Sequence, residues 1–123
     1  MKAKGLVWLG TRTRKFDDTV RFLGDTLGLR MVHEEPGFAV FRLTNGDTVE
    51  VFGPGDRDHE HFSTGPVVGF LVDDVREARV DLEAAGITFI GSVHQADDGG
   101  TWSHFTGPDG NVYEITASPP AVV

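Results

Sequence analysis

The chain has no cysteine, one tyrosine, two tryptophans and two methionines among its 123 residues. Without cysteine there is no disulfide, no thiolate nucleophile and no cysteine-ligated metal. Long apolar runs are missing too. The N-terminal MKAKGLVWLGTRTRKF carries two lysines but only a short apolar stretch before Thr11 and Arg12, too little for a secretory leader or a membrane span. Basic residues are scarce: eleven Lys and Arg stand against nineteen Asp and Glu, a formal net charge of -8, with no basic stripe. Nucleic acid and anionic membrane surfaces are therefore poor candidate partners. A soluble cytoplasmic protein is expected.

What is present is 39% hydrophobic residues, enough for one ordinary core. The most informative stretch is TWSHFTGPDGNVYEITAS, Thr101 to Ser118. Pro108, Asp109 and Gly110 suit a tight turn, because they supply a preset φ, a local acceptor and a left-handed backbone. A type I turn followed by a glycine bulge would pair Gly107 with Asn111 and place His104 opposite Glu114; a two-residue loop would place Phe105 there instead. Glu114 interrupts the apolar run Val112-Tyr113-Glu114-Ile115. A buried carboxylate without a partner is costly, so Glu114 has to face water, find a partner or line a cavity.

Taken in order, Leu6 to Leu9 reads as a buried strand and TRTRK as a connector. Phe16, Val20, Leu23 and Leu27 recur at helical steps, with Asp17 and Asp18 at the start and Gly28 as the stop. Leu29 to Glu34 reads as extended, Pro36-Gly37 as a turn, and Phe38 to Leu43 as a strand. Asn45-Gly46 signals a hairpin, completed by Thr48 to Phe52 with Glu50 in its middle. GPGDRDHEHFSTG has no period and reads as a linker. The order then begins again: a strand over Val67 to Val72, and a helix after Asp73-Asp74 with Val75, Ala78, Leu82 and Ala85 on one face, stopped by Gly86. Ile87 to Val93 is extended, QADDGG is a loop, and the hairpin described above closes the unit. The tail at 119–123 is expected to fray.

The chain thus holds two copies of strand, helix and three strands, an α+β pattern. Its expected organisation is one domain over 1–118, with a first module at 5–53, a linker at 54–65 and a second module at 66–117. Superposing the two hairpins lays Asn45-Gly46 on Asp109-Gly110 and Glu50 on Glu114.

With these segments in this order, the chain resembles the vicinal oxygen chelate superfamily, which includes lactoylglutathione lyases, extradiol dioxygenases, fosfomycin-modifying enzymes and bleomycin resistance proteins. The resemblance runs from Gly5 to about Thr116 and rests on the LGL end of the first helix, VEVFGP, FLVDDV, LEAAGI and GPDGNVYEI. It implies two βαβββ modules whose curled mixed sheets form a shared cavity, and often a second chain, so that a homodimer is expected. Metal-dependent relatives take one ligand from the first and one from the last strand of each module. The last-strand positions fall on Glu50 and Glu114, but the first-strand positions fall on Trp8 and Val67, which cannot ligate. The resemblance therefore implies no resident metal in the usual manner, with a divalent ion recruited through His104 as the alternative.

Candidate residues follow from both lines. Glu50 and Glu114 are candidate acidic anchors or proton-transfer groups, and His104 is a third if Glu114 orients it. Trp8 and Trp102 are candidate walls for a flat or hydrophobic ligand, and His61 with Phe62 can close over it. The bland readings are solvent-facing carboxylates, a histidine filling a strand and tryptophans in a core. Phe41, Phe52, Phe70 and Phe105 are assigned to the core. The spacing His59-x-His61 invites a metal, but it lies in a polar loop without a partner cluster. The two functions that survive are a metal-independent small-molecule binding protein of the resistance type, and a lyase, isomerase or epimerase using Glu50 and Glu114. Net acidity favours a neutral or cationic ligand.

Overall fold

The structure is a computed structural model that describes residues 1–118; the expected fraying at 119–123 lies outside the described residues. It divides into two compact units, one made of residues 7–67 and the other of residues 1–6 with 68 onward. No helix among the described residues is long and apolar enough to cross a membrane.

The first unit is built from β1 (Gly5–Arg12), α1 (Phe16–Arg21), β2 (Arg30–Glu35), β3 (Phe38–Arg42) and β4 (Thr48–Phe52), where only the first two residues of β1 belong to the other unit. Its strands run in the order β2-β3-β4-β1, with β1 parallel to β4 and the others antiparallel. Alternation along β4 decides what each face does. Val49 and Val51 turn toward α1 and pack with Val20, Ala39, Phe41 and Leu23, which leaves Glu50 and Phe52 on the opposite face.

The second unit repeats this with β5 (Val67–Leu71), α2 (Val75–Ala84), β6 (Thr88–Gln95), β7 (Thr101–Thr106) and β8 (Val112–Ala117). Its order is β5-β8-β7-β6, again with only the β5–β8 pair parallel. Val75 and Ala78 of α2, with the partly buried Leu82, pack on Val72, Ile115 and Ala117. Asp74 caps the helix by accepting from the Glu77 N–H at 3.0 Å, a bond that satisfies one of the free amides of the first turn.

The duplication extends to hydrogen bonds. In the first hairpin the Leu43 N–H donates to Asp47 O and the Gly46 N–H to Leu43 O; in the second, Gly107 donates to Asn111 and Gly110 to Gly107 in the same pattern. Gly46 and Gly110 take φ of 92° and 83°, the left-handed backbone that a glycine-bulge turn demands. Glu50 stands opposite Gly10, and Glu114 opposite Gly69, so the two glutamates are equivalent positions of one repeated register.

Two expectations need correction. The connector TRTRK begins later than expected, because Thr11 and Arg12 continue β1 and pair with Val51 and Phe52. Leu27 does not lie on the buried helix face but is 56% exposed. The cause is a switch to π-helical turns over Phe22–Thr26, where the Leu27 N–H reaches back to Phe22 O. That wider winding carries Leu27 off the line set by Phe16, Val20 and Leu23.

Candidate functional site

In the first unit the site grows from one strand position. Trp8 lies two residues before Gly10 on β1, so both point to the face that carries Glu50. The indole folds back over Gly10: a Cβ at that glycine would lie 2.0 Å from the ring. Only a bare backbone there lets the ring lie flat along the strand. Thus placed, Trp8 Nε1 donates to Glu50 Oε1 at 2.7 Å. Burial pushes the Glu50 carboxyl above its usual range, while the Trp8 hydrogen bond and the nearby His59 pull it back in part. The net effect is a partly buried carboxylate poised to take up a proton more readily than one in water.

Aromatic rings surround it. Phe62, which is buried, meets the Trp8 ring edge-on at 6.0 Å and Phe52 at 6.0 Å. Phe52 is sandwiched between Phe38 at 5.5 Å and His59 at 3.8 Å, both nearly parallel to it. His61 sits beside this column, 5.0 Å from Phe62. The segment that brings His59, His61 and Phe62 here has no regular structure of its own, and it is held by Arg12. The Arg12 guanidinium donates to Asp56 O at 3.1 Å and Pro54 O at 3.0 Å. Asp56 in turn holds His59 Nδ1 at 2.6 Å. A recess of about 460 Å³ opens along the column, walled by Phe38, Phe52 and His59 and rimmed by Glu35, Asp56 and Asp58.

In the second unit the ladder places His104 opposite Glu114, as the bulged turn required. His104 Nε2 and Glu114 Oε1 are 2.9 Å apart, with the residues 3% and 4% exposed. The pair lies away from the α2 face, because its strand neighbours Ser103 and Ile115 face the other way. A buried imidazole and carboxylate in direct contact can share or pass a proton. Trp102, on the same face of β7, stacks on His94 at 5.5 Å.

Each candidate from the sequence now has a location. Trp8, Glu50, His61 and Phe62 come together in the first unit, and His104 with Glu114 in the second; Trp102 stands two residues along β7 from His104. Phe52 is buried as expected, on the face that carries Glu50. His59 was set aside as a loop residue and is central to the aromatic column. Gly10 was missed as well; a glycine two residues after a strand tryptophan was its available signal.

The family model for the glyoxalase/bleomycin resistance protein/dioxygenase superfamily matches residues 5–115. The chain belongs to this superfamily. Solved structures of the superfamily's fold resemble it at low sequence identity. Methylmalonyl-CoA epimerase from Mycobacterium tuberculosis superposes with a TM-score of 0.72 at 18% identity, over 96% of this chain and 90% of its own. A superfamily member from Vibrio splendidus gives 0.65 at 18%, over 89% and 96%. The Mn(II)-bound glyoxalase from Novosphingobium aromaticivorans gives 0.73 at 20%, over 98% of this chain but 42% of its own. No curated protein matches the sequence.

Some superfamily members hold a metal, so the donor set has to be tested against one. The first-strand positions carry an indole and an isopropyl group, neither of which ligates a divalent ion. Glu50 Oε1 already accepts the Trp8 N–H. Among the described residues no group of three or more His, Asp or Glu side chains is arranged to hold a metal. The superfamily's usual metal set does not fit this chain.

Proposed function

We propose that the chain is a metal-independent small-molecule binding protein of the glyoxalase/bleomycin resistance type. It holds an aromatic or hydrophobic ligand against Trp8, Phe52 and Phe62, with Glu50 as acidic anchor and His61 beside the entrance. One observation carries this reading: where a metal-dependent relative would place a ligating side chain, Trp8 donates its indole N–H to Glu50. The same contact replaces a metal's role in orienting the carboxylate and adds a flat wall beside it. An apolar wall with a few fixed polar groups is the usual make-up of a small-ligand site. The three carboxylates on the rim of the adjoining recess favour a neutral or cationic ligand. A cytoplasmic setting suits a chain with no cysteine.

The test is a titration of intrinsic tryptophan fluorescence with a panel of organic cations and aromatic metabolites, run in the presence of a chelator. Saturable quenching that disappears in Glu50→Ala supports the reading. Quenching that needs added divalent metal overturns it.

A second reading is a lyase, isomerase or epimerase that moves a proton. It is favoured by the buried contact of the His104 imidazole with the Glu114 carboxylate and, separately, by the raised pKa of Glu50, since each arrangement suits proton transfer. The structural likeness to methylmalonyl-CoA epimerases speaks for the fold alone. Deuterium exchange into carbonyl or thioester compounds with an acidic C–H, lost in both Glu50→Gln and Glu114→Gln, would replace the binding reading with this one.

A further inference from the structure

The first unit carries a cluster of basic residues that the aromatic site does not use. Arg12, Arg14 and Lys15 are three of the eleven Lys and Arg in the chain, and they fall together where β1 ends and α1 is about to begin. The Arg12 guanidinium gives its Nε–H to Asp56 O and an Nη2–H to Pro54 O. Those carbonyls take two of its five N–H groups and fix its position, but they do not neutralise its charge. Among the described residues no ion pair joins Arg12, Arg14 or Lys15 to a carboxylate, although the chain has nineteen acidic side chains. Neighbouring cations repel, so the fold leaves a positive field here that a bound anion would relieve.

A pocket of about 440 Å³ opens at this cluster, lined by Arg12, Thr13, Arg14, Pro54, Phe62 and Ser63. Its side chains bring two guanidinium groups, two hydroxyls and no carboxylate. That sets it apart from the recess beside His59, whose rim carries Glu35, Asp56 and Asp58. The Thr13 hydroxyl accepts the Lys15 N–H at 3.0 Å, which leaves its own hydrogen free to donate. A guanidinium presents its N–H groups in a planar fork that matches the edge of a phosphate, and hydroxyls suit the remaining oxygens. A carboxylate, with one charge and two oxygens, would leave part of this donor set unused; a phosphate group carries nearly two charges and at least three acceptor oxygens. Arg12 is held in place before any ligand arrives, so binding costs it little side-chain entropy.

We propose that this pocket is a phosphate site, taking inorganic phosphate or the phosphate group of a small monoester whose organic part rests on Pro54 and Phe62. The proposal holds whether or not the Trp8 face takes a ligand, because the pocket lining includes neither Trp8 nor Glu50 and shares only Phe62 with that site.

The experiment titrates the unmodified protein with inorganic phosphate and, separately, with phenyl phosphate, at constant ionic strength made up with chloride. Backbone amide shifts and the heat of binding are followed together. Saturable shifts centred on residues 12–14 and 62–63 are expected. Tighter binding of phenyl phosphate assigns the site to a monoester, and equal binding assigns it to free phosphate. Arg14→Ala is expected to weaken either anion about tenfold or more, in line with loss of a hydrogen bond to a charged group. It should leave the melting temperature in place, because Arg14 is exposed and no ion pair holds it. Arg76→Ala removes the same charge from an exposed position on α2 and is expected to leave the affinity unchanged. The absence of a saturable response to either anion overturns the proposal. So does a response centred elsewhere, one that Arg14→Ala leaves intact, or one that Arg76→Ala weakens as much.

Discussion

Replacing Gly10 by alanine should destabilise this protein, although in most strands that change is favourable. Ordering a glycine in a strand costs about 0.5–1 kcal/mol relative to alanine, so the substitution begins with a gain of that size. Against it stands geometry: the new Cβ would fall 2.0, 2.6 and 2.8 Å from three atoms of the Trp8 ring. No rotation of a methyl group relieves that, so the indole must leave. Its departure breaks the bond to Glu50, and a hydrogen bond to a charged group contributes about 1.5–3 kcal/mol. It also loosens the edge contact with Phe62, which contributes about 0.5–1.5 kcal/mol. The losses exceed the gain, and a net destabilisation of about 2 kcal/mol is expected, roughly 8 °C in melting temperature for a chain of this size. Thermal denaturation measures it. The indole N–H resonance of Trp8 in a Trp102→Phe background reports whether the hydrogen bond has gone. A double-mutant cycle isolates the cause, because in Trp8→Ala the same Gly10→Ala change meets no ring and should cost nothing. A Gly10→Ala protein that melts as wild type does with an unshifted indole resonance would refute the reasoning.

Other outcomes follow from the same geometry. Burial holds the Glu50 pKa above its ordinary value, so the folded protein takes up a proton there. The resulting stabilisation is complete below the unfolded-state pKa and is lost as pH rises through the folded-state pKa. Glu50→Gln removes that loss, and its stability relative to wild type in urea should improve as pH rises above the ordinary carboxylate range; curves that stay parallel would contradict it. His104→Ala breaks the buried contact with Glu114 and is expected to cost about 3 kcal/mol in chemical denaturation; a cost under about 1 kcal/mol would mean the pair is no tighter than a surface one. Asp74→Ala removes the α2 cap and should cost about 1 kcal/mol, seen as a melting shift of about 4 °C, whereas Asp73→Ala, which loses only the exposed ion pair with Lys4, should shift it far less.

How much of this could be read in advance depended on whether local chemistry set the answer. The pairing of His104 with Glu114 was one of two registers that the turn residues allowed, and the bulged turn seen in the structure selects it. The equivalence of Glu50 and Glu114 followed from repetition, since two hairpins with the same turn chemistry impose the same register. Leu27 misled because π-helical winding leaves the spacing of apolar residues unchanged while it rotates the last turn. His59 was misjudged for a different reason. A loop histidine acquires its role only when Arg12 pins the backbone around it, and a guanidinium bound to two carbonyls leaves no pattern in sequence. Gly10 stayed hidden because a glycine's purpose lies in what approaches it.

The most direct measurement is a ligand titration followed through Trp8 alone, in a Trp102→Phe protein with chelator present throughout. Saturable quenching by an aromatic or cationic compound, unchanged by the chelator and abolished by Glu50→Ala, is the expected result. Quenching that appears only when manganese or zinc is supplied would contradict a site in which an indole, not a metal, holds the carboxylate.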